Sequence, residues 1–483
     1  MKTTAAPPIV LVTLLLAGCA VGPNYKPARV APPKLLDLAA DRESDAPMQV
    51  RWWGQFGDPV LNVLMARASQ ANLDLRIAQA RLRESRAQVK DAQSNLMPTL
   101  DADGSFERRD AQIPGFGTSR SRYNAFQTGF DANWEIDIFG GLRRRVEAAK
   151  ADQGAEAASL RGVQVSLFAE VARTYFELRS TQERLRVLRD TIQNQRDTLR
   201  LAKTRFEVGA SGAQDVASAG AQLGEVEARL PTLESQERGE TYRLAVLLGR
   251  RPGDLDVDLS PQASHPIATR LAMGQAAAVL SRRPDVQRAE RQLAAETARI
   301  GVAKADFFPH FSLSGFLGFI TSHAADFGSG NSGAWSLTPG ISWQGLNVER
   351  MQARLHGAEA RKDEAEAYFQ LTVLQAVEDV DDSISDYNAA HMRVVKVADQ
   401  VAQSRRAADL AREAYRTGAG SFLEMLDAER VQLAAEDDFA QTEGAINVNA
   451  VRVYKALGGG WEACGDPACT GMAQAAAPSG PRG

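Results

Sequence analysis

Apolar residues recur every seven positions along two long stretches of the chain, and this spacing predicts two long helices. The two series are Val171, Leu178, Leu185, Ile192, Leu199, Phe206 and Val380, Tyr387, Val394, Val401, Ala408, Tyr415. A strict seven-residue spacing keeps one seam of a helix against a neighbouring helix, as in a left-handed coiled coil. A helix over about 142–208 would be about 100 Å long at 1.5 Å per residue, far longer than a helix of a globular domain.

Four shorter segments alternate apolar and polar residues and predict β-strands with one apolar and one polar face. We expect these strands near residues 98–107, 124–137, 309–319 and 335–345. Alternating segments of about ten residues are typical of membrane β-barrels, although a soluble sandwich with one wet face has the same pattern. Trp134, Trp335 and Trp343 fall near strand ends, as in an interfacial aromatic belt, and favour the barrel. Pro339 fits less well, because a proline inside a strand cannot donate to the ladder.

The same elements recur in the two halves of the chain. Trp134 corresponds to Trp343, and Gly209 corresponds to Gly418, both at an offset of 209 residues (134 to 343). The two glycines follow the two series of apolar residues and predict the turns that end the long helices. We therefore predict an internal duplication, with repeat 1 at 58–262 and repeat 2 at 263–463. The last residues, 464–483, would form a flexible tail.

The N-terminal residues predict export and lipidation. A positively charged start followed by a short apolar stretch marks residues 1–18 as a signal peptide. The run Leu16-Ala-Gly-Cys19 resembles a bacterial lipobox, in which the cysteine becomes the acylated first residue; the alternative is an ordinary buried cysteine. We predict an N-acyl and diacylglycerol lipid on Cys19, followed by an extended segment at 19–57. An Asp after the cysteine retains such lipoproteins at the inner membrane, so Ala20 implies the outer membrane.

Composition and charge exclude several classes of protein. The chain has 56 Lys and Arg against 60 Asp and Glu, and 44% of its residues are hydrophobic. This hydrophobic fraction excludes a disordered chain, and the near balance of charge argues against nucleic acid as a partner. No apolar stretch reaches the roughly 20 residues that a membrane helix needs. These values exclude a helical membrane protein but leave a β-barrel open, because only half of each strand is apolar.

Four strands cannot close a barrel, so the strand prediction requires an oligomer. An open strand edge in lipid leaves N–H and C=O groups unpaired, at a cost of several kcal/mol for each group. Two chains would supply eight strands, and three would supply twelve, which leave room for an aqueous lumen. The long helices would pair along their heptad seams in the same way. We therefore predict a hollow oligomer that crosses one membrane and extends roughly 100 Å beyond it.

Several dispersed motifs point to one family. They are Val21-Gly-Pro-Asn-Tyr-Lys-Pro27, Trp52-Trp53, Phe56-Gly-Asp-Pro59, Trp134-Glu-Ile-Asp-Ile-Phe-Gly140, Arg283-Pro-Asp285, Tyr415-Arg-Thr-Gly418 and Leu426-Asp-Ala428. With these motifs the chain resembles the TolC-like outer-membrane efflux protein family, in its NodT/OprM-type lipoprotein branch. The resemblance implies an α+β membrane protein. Its homotrimer forms a 12-stranded outer-membrane β-barrel, with four strands per chain, continuous with a long α-helical coiled-coil periplasmic barrel.

The resemblance also implies the function. The family forms the exit duct of tripartite efflux pumps of the RND type in Gram-negative bacteria and passively conducts drugs or other small toxic compounds. Its partners are a periplasmic membrane-fusion adaptor and an inner-membrane pump. One alternative is the outer-membrane duct of a type I protein secretion system. An alternative of a different class is a lipidated coiled-coil periplasmic adaptor or structural protein, which would lack four alternating strands and a full-length duplication.

A periplasmic gate is expected where the second helical hairpin turns. Asp427 and Arg430 are spaced i, i+3 and share a helix face, which is also the pattern of a solvated surface pair. In the family, the residues that match Leu423, Asp427 and Arg430 form the constriction, with the leucine as a plug and the charged pair as a latch. A ring of like charges around a narrow aperture can bind cations or repel them. The resemblance thus assigns these three residues to the gate.

The turns themselves are candidates for adaptor docking. The residues concerned are Arg205, Gly209, Tyr415 and Gly418. Simple helix termination explains the glycines equally well. We expect no catalytic residues, metal site or other cofactor, because the phosphate-binding motif GxxxxGK[ST] is missing from the sequence and its five histidines are scattered. The sequence leaves the transported substrate, the cognate pump and adaptor, and the organism open.

Overall fold

The computed structural model of the chain describes residues 20–27, 43–44, 48–112, 120–262, 271–273 and 280–465. The predicted signal peptide, Cys19 and most of the predicted tail lie outside the described residues. The chain divides into two compact units. Unit 1 contains Met1–Arg29, Ala80–Ala157 and Arg288–Leu371, and unit 2 contains Val30–Gln79, Ala158–Gln287 and Thr372–Gly483.

Long helices dominate the part of the chain that the structure describes. They are α1 (Pro59–Ala71), α2 (Leu73–Ser94), α3 (Gly141–Glu207), α4 (Ala213–Leu247), α5 (Pro284–Ala305), α6 (Val348–Thr417) and α7 (Phe422–Ala456). Helices α3 and α6 contain 67 and 70 residues, so each is about 100 Å long along its axis. The lengths of corresponding elements match, because α2 and α5 both have 22 residues and α4 and α7 both have 35. None of the helices in the described ranges is both long and apolar enough to span a membrane.

Four strands of unit 1 form an antiparallel sheet in the order β2-β3-β5-β6. The strands are β2 (Thr99–Gln112), β3 (Arg120–Ile136), β5 (His310–Thr321) and β6 (Gly333–Ser342). In unit 2, two short strands, β1 (Glu43–Ser44) and β4 (Leu271–Ala272), pair in parallel. The first hairpin extends beyond the expected strand ends, because Asp110 and Arg122 lie opposite each other and form an ion pair of 3.1 Å near its tip. Charged cross-strand pairs continue the ladder without apolar alternation.

One face of this sheet is apolar and exposed. The register aligns Phe130 with Leu317 and Leu317 with Trp335, so these side chains share a face across three strands. Other exposed apolar side chains on the same face are Leu100, Leu337 and Ile341. Trp335 is 78% exposed, and an apolar surface of this extent on a soluble chain would mark a site of interaction or aggregation. The face therefore requires an apolar environment.

The opposite face is mostly polar, although Phe316 and Ile320 also lie on it. Asp101 lies opposite Asp131, which in turn lies opposite Phe316. Simple alternation predicts a polar residue at position 316, but the Phe316 ring lies against Gly129 and Gly318. A Cβ on Gly318 would come within 2.2 Å of the Thr128 carbonyl oxygen, so these two glycines allow the close backbone approach that the aromatic ring then covers.

Tryptophans bind the ends of both hairpins to the preceding loops. The Trp134 Nε1–H donates to the Leu96 carbonyl at 3.1 Å, and the Trp343 Nε1–H donates to the Phe307 carbonyl at 3.1 Å. Each tryptophan lies at the end of the second strand of its hairpin, and its indole is hydrogen-bonded to the loop that precedes the first strand.

Pro339 lies in β6, an edge strand of the described sheet, where a residue without an N–H is tolerated. Within one chain, the edge position accommodates the proline that did not fit the strand pattern.

An aromatic core holds the N-terminal part of unit 2 against its helices. Trp52 stacks on Tyr454 with ring centroids 5.1 Å apart, and Trp53 packs on Phe168 at 4.8 Å. Asp58 caps α1 by accepting hydrogen bonds from the backbone N–H groups of Val60 and Leu61 at 2.8 and 3.1 Å. The Tyr175 hydroxyl donates to the same carboxylate. Burial and this hydrogen bond raise the pKa of Tyr175 well above its ordinary value.

The cap at Asp58 gives a test of this packing. We expect Asp58→Ala to lower the free energy of unfolding by about 1–2 kcal/mol, because it removes an N-cap and the acceptor of a buried hydroxyl. Asp58→Asn keeps an acceptor oxygen and is the matched control, with most of the stability retained. Thermal unfolding followed by circular dichroism compares them. Equal midpoints for wild type, Asp58→Ala and Asp58→Asn would show that this cap does not stabilise the core.

Candidate functional site

Two helical hairpins of unit 2 make tight turns with the same geometry. Helix α3 ends before Gly209, whose φ is 74°, and α6 ends before Gly418, whose φ is 80°. In the first turn the N–H of Ala210 donates to the Arg205 carbonyl at 2.7 Å, and in the second the N–H of Ala419 donates to the Ala414 carbonyl at 2.8 Å. With the accompanying bonds from Gly209 and Gly418, both are Schellman turns. The prediction that these glycines end the helices is confirmed.

The two turns are joined through Arg205. Its Nη1–H donates to the Tyr415 carbonyl at 2.6 Å, and its guanidinium lies 4.5 Å from the centroid of the Tyr415 ring. The Tyr415 ring packs on Phe422 at 5.2 Å and is buried, and its burial raises the pKa of the hydroxyl. Of the four predicted docking residues, Arg205 and Tyr415 are therefore in contact, whereas Gly209 and Gly418 are exposed at the turns. The Tyr415 side chain supports the turns from inside and presents no surface to a partner.

The three predicted gate residues share one face of α7. Arg430 donates from Nη2 to Asp427 Oδ1 at 2.7 Å, and both side chains are exposed. Leu423 precedes Asp427 by one helical turn and is 72% exposed. An exposed ion pair of this kind contributes only about 0–1 kcal/mol within one chain. The structure thus brings Asp427 and Arg430 together and leaves Leu423 uncovered beside them.

The start of α7 is fixed by a capping box. The N–H of Glu424 donates to Ser421 Oγ at 3.2 Å, and the N–H of Ser421 donates to Glu424 Oε2 at 2.9 Å. Hydrogen bonds from the backbone and the side chain of Ser421 to the Glu424 carboxylate lower its pKa. The equivalent helix α4 starts at Gly212 with no side-chain cap. The sequence signature of the box, Ser three residues before Glu, was available but went unused in the prediction.

A buried charged cluster near the gate was also missed. Glu429 is 4% exposed and accepts hydrogen bonds from Arg412 Nε at 2.7 Å and from Gln195 Nε2 at 2.9 Å. The signal that could have found it is a glutamate at a seam position, between the apolar residues Leu426 and Leu433. Among the residues that the structure describes, no group of three or more His, Cys, Asp or Glu is arranged to hold a metal ion.

Comparison with known sequences identifies the family. The family described as "Outer membrane efflux protein" matches residues 64–250 and 276–459. The chain is 31% identical to the pyoverdine export outer membrane protein OpmQ of Pseudomonas aeruginosa, over 93% of this chain and 95% of that protein. It is 27% identical to the cation efflux system protein CusC of Escherichia coli O157:H7, over 93% and 98%, respectively. It is 29% identical to the solvent efflux pump outer membrane protein SrpC of Pseudomonas putida, over 95% and 99%.

Solved structures agree with this assignment. The outer-membrane channel OprN superposes with a TM-score of 0.89 at 39% identity, covering 92% of this chain and all of the other. The MtrE outer membrane channel of Neisseria gonorrhoeae, in its open state, superposes with a TM-score of 0.80 at 26% identity, covering 92% and 99%. These matches confirm the expected α+β channel fold and the family resemblance. The chain therefore belongs to the outer membrane efflux protein family.

Proposed function

We propose that the chain is the exit duct of a tripartite efflux pump and acts as a homotrimer with a periplasmic adaptor and an inner-membrane pump. As a member of its family it is an outer-membrane efflux protein. The observation that carries the proposal is the described sheet of unit 1, which has an exposed apolar face, a polar face and two edge strands. This is one part of a barrel wall: apolar toward lipid, polar toward a lumen, and open at both edges.

The need to close the barrel wall supports an assembly of three copies of the chain. Strands β2 and β6 are the two edges of the described sheet, and each would leave a row of unpaired backbone groups in lipid. Pairing β6 of one copy with β2 of the next removes every edge when the ring closes. Twelve strands leave an aqueous lumen, whereas eight would be filled by side chains. The trimer is therefore the smallest ring of this sheet that can conduct.

The cargo proposed is a drug or another small toxic compound. Similar chains are named for the export of pyoverdine, cations and solvents. Chains of similar fold thus serve chemically different compounds, which supports a passive duct whose cargo is selected by the pump and adaptor.

The gate of the duct is proposed at Leu423, Asp427 and Arg430. Their exposure within one chain supports this role, because a threefold axis would repeat them around one aperture. Each leucine would narrow the aperture, and each Arg430 would neutralise the carboxylate that Asp427 brings into the ring.

Adaptor docking is proposed at the two turns, where Phe206 and Val208 are exposed apolar residues beside Gly209. Arg205 and Tyr415 would hold the two turns in one arrangement.

Conductance tests the gate. We expect Asp427→Ala and Arg430→Ala to raise the closed-state conductance in planar bilayers severalfold, because each removes one member of every pair around the aperture. Glu225→Ala is the matched control: Glu225 forms an exposed ion pair with Arg229 at 2.6 Å on α4, a helix that carries none of the proposed gate residues. Its conductance should stay at the wild-type value. A closed-state conductance unchanged in both gate variants would exclude the latch.

The oligomer can be tested on the purified protein. We expect a trimer in mild detergent, detected by native mass spectrometry, which forms ion-conducting pores in a bilayer. A monomer, or a trimer without conductance, would contradict the exit-duct proposal.

Lipidation at Cys19 is proposed from the lipobox and has its own test. The N-terminal peptide of the mature protein should carry an N-acyl and a diacylglycerol group, and Cys19→Ser should lack both by mass spectrometry. Because several acyl chains anchor a lipoprotein almost irreversibly, the wild-type protein should stay with membranes at high salt. An unmodified Cys19 in the mature protein would contradict the prediction.

A further inference from the structure

Glu429 occupies a position of α7 where the helix pattern calls for an apolar residue. The buried side chains Phe422, Leu426, Glu429 and Leu433 follow one another at spacings of four, three and four residues. This is the seam spacing of a coiled coil, and glutamate is almost never found buried in such a seam unless it is paired. The carboxylate is therefore held by specific partners.

Those partners lie on two other helices. Glu429 Oε1 accepts from Arg412 Nε on α6 at 2.7 Å, and Glu429 Oε2 accepts from Gln195 Nε2 on α3 at 2.9 Å. Arg412 is itself fixed, because it also donates to Gln432 at 2.9 Å and to Asp409 at 2.8 Å. Each carboxylate oxygen thus connects α7 to a different helix. Sliding α7 by one helical turn, about 5.4 Å, would break both connections.

The energetics favour a role in register over a role in stability. Taking a carboxylate and a guanidinium out of water costs about as much as their attraction returns, and apolar replacements of similar volume are often neutral or stabilising. A single polar residue in a coiled-coil seam nevertheless selects one register, because every other register leaves it unpaired. Glu429 therefore acts by excluding alternative positions of α7.

Only the hairpin with the gate residues has this contact. At the offset of 209 residues, Glu429 corresponds to Gly220 and Gln195 corresponds to Ser404. Gly220 offers no side chain, and Ser404 donates to the Val401 carbonyl of its own helix at 3.1 Å. The duplicated hairpins therefore differ where the second one carries Leu423, Asp427 and Arg430.

We propose that Glu429 is a positioning residue of the gate, which locks α7 against α3 and α6 and so keeps the gate residues aligned at the aperture. The inference rests on the proposed function. With about 100° per residue, Arg430, Leu423 and Asp427 leave α7 at about 100°, 120° and 160° around the helix from Glu429, so they do not share its buried seam. Rotation or sliding of α7 that takes the gate residues out of alignment must first break the contacts of Glu429. Opening of the duct would include this step.

The test compares variants that break the contact with one that breaks a similar pair elsewhere. Glu429→Gln removes the charge that faces Arg412. The matched control is Glu436→Gln, since Glu436 accepts from Arg405 at 2.6 Å and lies one heptad further along α7, as Arg405 does on α6. Glu436 accepts hydrogen bonds from Arg405 on α6 and from Gln432 on α7. We expect Glu429→Gln to raise the open probability in planar bilayers about tenfold, equivalent to about 1.4 kcal/mol, and Glu436→Gln to leave it unchanged.

A second variant separates positioning from stability. The triple variant Gln195→Leu, Arg412→Leu, Glu429→Leu replaces the cluster with apolar side chains, so we expect an unchanged or higher unfolding temperature together with a raised open probability. In an Asp427→Ala background, Glu429→Gln should add little, because the gate is already open. If the triple variant fails to fold, Glu429→Gln and the double variant still decide the question.

Several results would overturn the inference. An open probability at the wild-type value in Glu429→Gln while Asp427→Ala opens the pore would refute the positioning role and leave the proposed function standing. An equal rise in Glu436→Gln, or a full additional rise on the Asp427→Ala background, would show that Glu429 only stabilises the coil. No pore in the wild-type protein would instead refute the proposed function.

Discussion

A strand edge in hydrocarbon leaves its N–H and C=O groups without partners, and the four-stranded sheet of this chain has two such edges. Every other feature of unit 1 is consistent with that constraint. The apolar face is exposed because its partner is lipid, and the tryptophan at the end of each hairpin is bound to the loop before it. The fold of one chain is thus incomplete without further copies.

The long helices also need partners for an apolar surface, but their apolar residues recur every seven positions instead of every two. Apolar residues at this spacing form a seam of α3 and α6 that is mostly buried, although α6 also exposes apolar side chains such as Leu374 and Val395. The strands contribute only alternate apolar residues, so neither element raises the hydrophobic content of the chain. This explains how 44% hydrophobic residues and a net charge of −4 describe an outer-membrane protein. Overall composition averages over apolar and polar surfaces, whereas the seven-residue spacing of the helices and the two-residue alternation of the strands show where each surface lies.

The sequence predicted best what depends on local spacing. The long helix expected over 142–208 is observed as Gly141–Glu207, because the heptad series and the glycine that ends it are both local signals. The pairing of Asp427 with Arg430 also follows from their spacing. The prediction placed the ends of the first hairpin's strands too far from its tip, because the residues near the tip form a charged pair and do not alternate between apolar and polar.

Contacts between residues far apart in the sequence could not be predicted from it. The hydrogen bond from Arg205 to the Tyr415 carbonyl joins residues 210 positions apart, and that from Gln195 to Glu429 joins residues 234 apart. Spacing along the chain gives no information on such pairs. Tyr415 ends the predicted apolar series and was also assigned to the docking turn; the structure buries its ring against Phe422 and beneath Arg205, as the series indicates.

The two helical hairpins differ at the start and in the seam of the returning helix, and the second hairpin carries the proposed gate. Both turns have the same backbone geometry, so turn shape cannot distinguish them. The second hairpin alone begins its returning helix with a capping box, and Gly220 stands in the first where Glu429 stands in the second. The capped start and the contacts of Glu429 favour one position of α7, whereas α4 has neither the capping box nor a residue equivalent to Glu429. The proposed gate needs a helix that moves between defined positions, and α7 has contacts that would define one of them.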